Sequence, residues 1–458
     1  MKKSIVTLKL ICLSLLGIWG CSVDEDGMEE PLKESNELFT KNSRAESMDP
    51  KIIPNQLVVK FKQDNLTEEE KFNIRNNFKN KYKIDIEYKE TCDCDNNTIE
   101  LWTINLSNSD FLKIENLVSN AEHNDDEGGV EIDLNFFFQI KNDPVFGSHY
   151  AKIEEKVVHN ATEDAINIAI IDTGIDYDFF PDPFLYNSSD SSSCTDEISG
   201  WDFVNDDNDP RDDNGHGTIV TKIITDQLDH YQVPYTIMSI KTFDHNGRGS
   251  YWANVCGLNH VAAKNKPFIV NTSFGFYKLS NQDIFKDIVE DASDRLLLIS
   301  SAGNLGIDTD IPGNEHFPSG YDSTNILTVG GYTKGEYFTY PIHGNPYVSG
   351  LLKAPNSNYG VSTIDALAIF DEHRFKLINA SNPSEVIPVD VRGTSFANAE
   401  VTARAAQLQS DLHGNPFLLK RSTLDSGFKQ YSLNGVIGGG RVIIRNLINS
   451  QNSGPVHN

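Results

Sequence analysis

Short apolar runs alternate with helical stretches through the C-terminal part of the chain. The runs cover residues 166–171, 237–242, 268–270, 296–299 and 326–329. Mostly apolar runs of this length are typical of strands that are buried on both faces, and helices between such strands favour a parallel sheet. The pattern therefore predicts an α/β domain over residues 142–448, with helices on both faces of a mostly parallel sheet.

A different pattern precedes this domain, between residues 51 and 141. Apolar or alternating segments predict strands at residues 57–61, 84–88, 99–106 and 130–138. Thr67-Glu68-Glu69-Glu70 has the form of a capping box at the start of one helix, and Asp110 is the predicted start of a second. The order β-α-β-β-α-β predicts a small α+β unit of the ferredoxin-like type.

The sequence predicts no folded structure at either end of the chain. A basic start and an apolar run at residues 10–19 predict a signal peptide over residues 1–21, and the run is too short to span a bilayer. The run ends before Cys21 and resembles a bacterial lipoprotein signal, in which that cysteine is lipidated. An ordinary signal peptide is the alternative. Residues 22–50 are predicted to be a flexible tether, and residues 449–458 a polar tail. We expect an exported lipoprotein at the bacterial outer membrane or cell surface, held by its N-terminal lipid.

Charge and cysteine content limit the partners and the redox compartment. The chain carries 39 Lys and Arg against 66 Asp and Glu, a formal net charge of −27. Phosphates would be repelled by such a chain, so nucleic acid is not an expected partner. Outside the signal region lie Cys92, Cys94, Cys194 and Cys256. Export permits a disulfide between Cys194 and Cys256, which the sequence does not establish.

Four polar residues stand where buried elements begin or end. Asp172 follows one apolar run and Asn304 follows another, at the strand ends where open α/β sheets hold their active sites. His216 lies between two glycines at a predicted helix start, and Ser395 begins an alanine-rich helix. Each residue alone is common in turns and caps. As a set they can supply a nucleophile, a base, a carboxylate that orients the base, and an amide donor.

The set resembles the subtilase family of serine peptidases. The resemblance rests on Asp172-Thr-Gly, His216-Gly-Thr, Ala302-Gly-Asn304 and Gly393-Thr-Ser395, in this order, and covers about residues 142–448. It implies an endopeptidase acting on polypeptide substrates, with Asp172, His216 and Ser395 as the catalytic triad and Asn304 in the oxyanion hole. No cofactor is required for that chemistry.

The resemblance also implies binding residues. Two extended segments and a pocket wall would contact the substrate, and Tyr251 would line the pocket for the fourth residue upstream of the cut. These residues are Gly247, Arg248, Gly249, Tyr251, Ser273, Phe274, Gly275, Ser301, Ala302 and Gly303. A structural calcium ion is a further expectation, because oxygen-bearing side chains alternate as in some calcium loops. Its ligands would be Asp202, Asn205, Asp207 and Asp209.

The same resemblance gives residues 51–141 a role. Subtilases commonly carry such an N-terminal unit as a propeptide, which assists folding and inhibits by laying its end through the active site. The end at residues 136–138 would approach the cleft, and cleavage would fall near residues 138–142. Self-cleavage would then separate the protease from a lipid on Cys21, unless the propeptide stays bound.

Two other functions are weighed against this one. The first is a catalytically inactive subtilase that serves as a lipid-anchored binding module. The second is an aspartic peptidase built on Asp172-Thr-Gly, although that class needs two such loops and this chain has one.

Overall fold

The computed structural model describes the chain in segments. These are residues 49–92, 98–105, 118, 129–140, 164–176, 184–186, 194, 196–197, 199–279, 282–342, 345–379, 382–409 and 414–445. The predicted signal peptide with Cys21, almost all of the tether, the helix predicted to begin at Asp110, and the polar tail lie outside the described residues.

The N-terminal unit is an antiparallel sheet with a helix packed against it. Its strands are β1 (Lys51–Phe61), β2 (Asp85–Thr91), β3 (Ile99–Asn105) and β4 (Val130–Gln139), in the order β2-β3-β1-β4. Helix α1 (Glu68–Tyr82) begins with the predicted capping box, because Thr67 and Glu70 bond each other's backbone amides. Phe78 and Trp102 are among the side chains that close its core.

The C-terminal part is built on one large sheet. Its strands are β5 (Ile166–Asp172), β6 (Gly200–Asp202), β7 (Tyr235–Lys241), β9 (Phe268–Thr272), β11 (Leu296–Ser301), β13 (Ile326–Ile342), β14 (Asn345–Lys353), β15 (Ala366–Ile369), β18 (Phe428–Lys429) and β19 (Arg441–Val442). The order is β18-β19-β15-β13-β11-β9-β5-β7-β6, and β14 pairs with β13. Only the β13–β14 and β18–β19 pairs of this sheet are antiparallel. The sheet is therefore mostly parallel, as predicted.

Helices cover both faces of this sheet. They are α2 (His216–His230), α3 (Tyr251–Ala263), α4 (Asp283–Asp291), α5 (Thr394–Gln409) and α6 (Pro416–Asp425). Ile168 and Ile170 of β5 pack with α2 and α5, whereas Ala169 and Ile171 pack with α3 and α4. Successive side chains of a strand point to opposite faces, so this division shows a two-sided core. The predicted α/β fold class is confirmed. None of the described helices is long and apolar enough to cross a membrane.

Short strands and two hairpins complete the described structure. Strand β8 (Arg248–Ser250) pairs with β4 and thus extends the sheet of the N-terminal unit. Strands β10 (Phe276–Tyr277) and β12 (His316–Phe317) pair with each other. Strands β13 and β14 form one long hairpin, and β16 (His373–Asn379) and β17 (Asn382–Val391) form another.

The cysteine pairing differs from the one that the sequence permitted. Cys256 forms a disulfide with Cys92, not with Cys194. Cys194 is disulfide-bonded as well. A link between residues 164 positions apart depends on how the two units pack, which no local pattern reveals.

Candidate active site

Asp172 and His216 meet at the carboxyl edge of the large sheet. Asp172 ends β5 and His216 begins α2, and both side chains are buried. The His216 Nδ1 atom lies 2.8 Å from Asp172 Oδ1 and 3.0 Å from Oδ2. This contact fixes the orientation of the imidazole and makes Nδ1 the protonated nitrogen. The other nitrogen, Nε2, is therefore the one that can accept a proton.

A glycine allows the two loops to come this close. A Cβ atom on Gly217 would stand 2.3 Å from the Gly174 carbonyl oxygen and 3.1 Å from Asp172 Oδ1. The Gly217 amide instead donates to the Thr173 hydroxyl at 2.9 Å. The glycine after His216 is thus needed for the approach of the Asp172 loop.

A second carboxylate, which the sequence reasoning missed, holds both loops. Asp212 is buried and accepts five hydrogen bonds at 2.6–3.0 Å. The donors are the Thr173 hydroxyl, the Asn214 and Gly215 amides, and the amide and hydroxyl of Thr218. The signal was its position four residues before His216, in an acidic stretch that resembled a solvated surface turn.

Two opposing influences set the pKa of His216. Burial lowers the pKa, but the charge of Asp172, the hydrogen bond to it and the charge of Asp212 raise it, and the net pKa lies above the ordinary histidine value. The surroundings of His216 therefore favour the imidazolium form, which is the form produced when the ring accepts a proton.

Ser395 lies in the first turn of α5 with its hydroxyl directed to another loop. Its Oγ donates to the Ser273 carbonyl at 2.9 Å, and the Ser273 hydroxyl donates to the Ser395 carbonyl at 3.0 Å. The ring of Phe396 lies 5.6 Å from the His216 ring, so the start of α5 is next to the imidazole. Between the described side chains of Ser395 and His216 there is no hydrogen bond.

Asn304 is bound to the start of the same helix. Its Oδ1 accepts from the Thr394 amide at 2.9 Å and from the Thr394 hydroxyl at 3.1 Å. With Oδ1 engaged, the NH₂ group is the part of the side chain that can donate to a ligand. The Gly303 amide also donates to the Thr394 hydroxyl at 3.2 Å. One residue therefore ties the Asn304 loop to the segment that carries Ser395.

The predicted binding edge, residues 247–249, is covered by the N-terminal unit. Strand β4 pairs antiparallel with β8, and the Ile140 amide donates to the Gly247 carbonyl at 2.8 Å. The paired residues are Phe137 with Ser250, Phe138 with Gly249, and Gln139 with Arg248. The Arg248 guanidinium also lies 3.6 Å from the centre of the Phe137 ring. The chain thus adds its own strand where a substrate strand is expected.

Phe138 fills an aromatic pocket beneath this edge. Its ring centre lies 5.3 Å from that of Phe243, 5.9 Å from Phe274 and 5.5 Å from Phe276. Phe274 was a predicted binding residue, whereas Phe243 and Phe276 were not. Rings at these separations and tilts attract one another beyond simple burial.

Tyr251 contacts the same strand from below. Its ring stacks on Phe136 at 5.0 Å, and its hydroxyl donates to Asp133 at 2.6 Å. Asp133 also accepts from the Ile284 amide at 2.8 Å, at the start of α4. Asn135 accepts from the Trp252 amide at 3.1 Å, at the start of α3. Two polar side chains of β4 therefore cap two helices of the C-terminal part.

The predicted pocket wall, residues 301–303, packs against a histidine that the sequence did not single out. A Cβ on Gly303 would lie 2.9 Å from the His316 ring, and one on Gly275 would lie 2.2 Å from it. Burial lowers the pKa of His316 to about 3, so this ring is neutral. Asn358 holds the wall from behind, since its side-chain NH₂ donates to the Ala302 carbonyl at 2.8 Å.

In the predicted calcium loop, the Asp202 carboxylate accepts hydrogen bonds from the residues that follow it. Asp202 accepts from the Val204 amide at 2.7 Å and from the amide and side chain of Asn205, both at 2.9 Å. Among the residues described, the group of three side chains close enough to share a metal is Cys194, Glu197 and His260. It contains none of Asp202, Asp207 and Asp209, and its cysteine is disulfide-bonded.

Comparison with known proteins gives one family. The model of the "Subtilase family" matches residues 163–434. The "Thermophilic serine proteinase" of Bacillus sp. (strain AK1) is 28% identical over 174 residues, which cover 36% of this chain and 37% of that protein. "Thermitase" of Thermoactinomyces vulgaris is 24% identical over 175 residues, covering 36% of this chain and 58% of that protein. These matches span less than two thirds of either relative.

Solved structures give weaker similarities. A "cold adapted subtilisin-like serine proteinase" has 18% sequence identity and a TM-score of 0.43, covering 66% of this chain and 96% of that one. A "Lanthipeptide Protease" has 18% identity and a TM-score of 0.44, covering 61% and 85%.

Proposed function

The chain belongs to the subtilase family, and from this premise we propose that it is a serine endopeptidase made as a self-inhibited precursor. Ser395 is the nucleophile, His216 the general base, Asp172 the group that orients the base, and Asn304 a donor to the oxyanion. The observation that carries the proposal is the 2.8 Å contact between His216 Nδ1 and the buried Asp172, within the family match that also includes Ser395.

Acylation begins when Ser395 gives its proton to His216. A serine hydroxyl is a weak nucleophile at neutral pH, so attack on a peptide carbonyl has to be coupled to this transfer. The hydroxyl first exchanges its bond to the Ser273 carbonyl for one to His216 Nε2. Asp172 then stabilises the imidazolium, which later protonates the leaving amine. Water repeats the sequence on the acyl-enzyme.

The oxyanion of each tetrahedral intermediate needs donors that are already fixed. The free NH₂ of Asn304 is one, because Thr394 binds the other end of that amide. The Ser395 amide in the first turn of α5 is a second. The positive end of the α5 dipole also stabilises the negative charge of the oxyanion.

Residues 51–141 act as the inhibitor in this proposal. The support is the β4–β8 pairing, in which residues 137–140 lie along the predicted substrate edge. Main-chain pairing of this kind supplies affinity, and the pocket around Phe138 supplies selectivity. We propose that a substrate enters as the same strand once the N-terminal unit leaves.

Export and a lipid on Cys21 complete the proposal. An alkyne fatty acid fed to producing cells should label the parent chain, whereas Cys21→Ala should carry no label. Label that persists on Cys21→Ala would contradict the anchor.

Fluorophosphonate labelling tests the central proposal. The full chain should be labelled once trypsin and a reducing thiol together have removed the N-terminal unit, and N-terminal sequencing of chain that matures unaided should give a start near residue 140. Ser395→Ala should stay unlabelled and uncut by itself.

Ser422→Ala, which removes a serine from α6, is the matched control and should behave as the parent. A folded parent that takes no label even after treatment with trypsin and a reducing thiol would contradict the peptidase and favour the inactive binding module. Inhibition by pepstatin would instead indicate the aspartic class.

A further inference from the structure

A disulfide joins the N-terminal unit to the domain that it covers. Cys92 directly follows β2 of the N-terminal unit, and Cys256 lies within α3 of the C-terminal part. Both residues are buried, at 3% and 2% exposure. The link is additional to the strand pairing and the helix caps between the same two units.

The position of this disulfide along the chain gives it a consequence for maturation. The predicted cleavage, near residues 138–142, falls at the end of β4 (Val130–Gln139) and before β5, which begins at Ile166. Any cut there leaves Cys92 on one product and Cys256 on the other. The cut separates two lengths of polypeptide but does not separate the two units.

Cys194 is disulfide-bonded as well, so its bond has to be kept apart from the Cys92–Cys256 link in any test. The chain has six cysteines, Cys92 and Cys256 are paired with each other, and Cys194 is also disulfide-bonded. The three remaining cysteines all precede residue 140.

We propose that cleavage alone does not activate this enzyme, and that a thiol must reduce the disulfide to release the inhibitory unit. The inference rests on the proposed function. A tethered inhibitor experiences an effective concentration in the millimolar range, so it rebinds faster than substrate can enter at ordinary concentrations. After reduction the inhibitory unit is no longer linked to the enzyme. It can then dissociate, and dilution prevents it from binding again.

The reaction is an ordinary thiol–disulfide exchange. The thiolate of a small thiol attacks one sulfur of the Cys92–Cys256 bond, forms a mixed disulfide there and expels the other cysteine as a thiolate, which takes up a proton. A second thiol attacks the mixed disulfide and frees the remaining cysteine. Two small thiols supply two electrons and two protons and leave as their own disulfide.

The structure offers an approach to this bond. A cavity of about 750 Å³ lies between the two units, and both cysteines line it. Tyr88, Phe203 and Trp252 are among its other lining residues. A small thiol that enters this cavity meets the bond, whereas the small exposed fraction of the two cysteine residues keeps the exchange slow in an oxidising exterior.

The tether is tested first without activity. The full Ser395→Ala chain is nicked with a trace of trypsin between residues 140 and 165, and the nick is verified by N-terminal sequencing. With Cys194→Ala added, the nicked chain should still run as one band on a gel without reductant and as two bands on a gel with reductant. Adding Cys92→Ala and Cys256→Ala should give two bands in both gels. Two bands from Cys194→Ala without reductant would overturn the tether.

A measurement on the parent does not depend on how the variants fold. Mass spectrometry of unreduced peptides should find one pair joined through Cys92 and Cys256. Free thiols at both positions in the freshly exported chain would overturn the proposal.

Control by thiol is then tested on the active chain at nanomolar concentration. Glutathione should raise peptide hydrolysis by the nicked parent at least about tenfold. The chain lacking Cys92, Cys194 and Cys256 should be fast from the start and change less than about twofold. A nicked, tethered parent that is equally fast with and without thiol would overturn the inhibition. Failure of every form to react with a fluorophosphonate would instead contradict the peptidase and leave the gel result standing.

Discussion

Two neighbouring regions of the cleft are held together by different forces. Around Asp172 and His216 the contacts are directional, and the buried Asp212 alone accepts five hydrogen bonds. Around Phe138 the contacts are between aromatic rings, whose centres lie 5.3–5.9 Å apart. Hydrogen bonds between buried groups fix positions within tenths of an ångström, whereas aromatic packing tolerates small shifts.

This difference separates rate from affinity. Changes in the polar region should lower kcat, because proton transfer from Ser395 depends on where the imidazole stands. Changes in the aromatic region should alter how strongly a strand is held and leave the chemical step intact. Each prediction below tests one side of this division.

The largest effect is expected from Asp212→Asn. The amide that replaces one oxygen cannot accept from Thr218 or from the Gly215 amide, so the loop of His216 shifts. A shift of about 1 Å can cost on the order of 10² in rate. We expect kcat of the reduced, activated enzyme to fall by about this factor with KM nearly unchanged, as measured with a fluorogenic peptide.

Asp310→Asn is the matched control for that variant. Asp310 also accepts several hydrogen bonds, from the Ser362 and Thr363 amides and the Thr363 hydroxyl, in a loop that holds neither Asp172 nor His216. Its kcat should remain within about twofold of the parent. Equal losses in both variants would mean that Asp212 acts through general stability and not by positioning His216.

An intermediate effect is expected from Phe138→Ala compared with Phe137→Ala. The two residues are neighbours on β4, but Phe138 is buried in the aromatic pocket while Phe137 lies against Arg248. Loss of a buried ring costs about 2–3 kcal/mol or more. Fluorophosphonate should therefore label the latent Phe138→Ala chain at least about thirtyfold faster than the parent, and Phe137→Ala less than about threefold faster. Equal labelling rates of the two variants would show that the Phe138 ring does not contribute to the inhibitory contact.

Most of the fold could be predicted because its signals are local. Apolar runs marked β5, β9 and β11, and the capping box marked the start of α1, so both were visible without tertiary information. Among the site residues, Asp172 and His216 were predicted from short motifs and lie in contact. The catalytic roles of all four residues, Asp172, His216, Asn304 and Ser395, remain proposals.

The contacts between distant segments could not be predicted. The pocket around Phe138 takes Phe243 from the loop after β7 and Phe276 from β10, which are brought together only by folding. Cys92 pairs with Cys256 across the boundary between the units. Asp212 belongs to an acidic stretch that has the composition of a surface turn. It is buried only because the loops of Thr173 and His216 fold around it.

The smallest effect is expected from pH, acting at the caps beneath the inhibitory strand. Burial raises the pKa of Asp133 to about 8, against the hydrogen bonds from Tyr251, Ile284 and Asp283, which lower it. An exposed aspartate has a pKa of about 4, so the bound unit keeps a proton that the released unit loses. Between these two values a rise in pH weakens the inhibitory contact, by at most about tenfold per pH unit, and above about pH 8 the effect ends.

The ratio of labelling rates of the latent and the activated chain measures this effect, because the ratio cancels the titration of His216. It should rise from pH 7 to pH 8 in the parent and more shallowly in Asp133→Asn, whose amide can bond both Tyr251 and the start of α4 without titrating. The remaining slope is expected from Glu131, where burial is the main cause that raises the pKa to about 7. Asp294→Asn, in the exposed turn after α4, should follow the parent. An unchanged slope in Asp133→Asn would show that this carboxyl does not hold its proton in the inhibited chain.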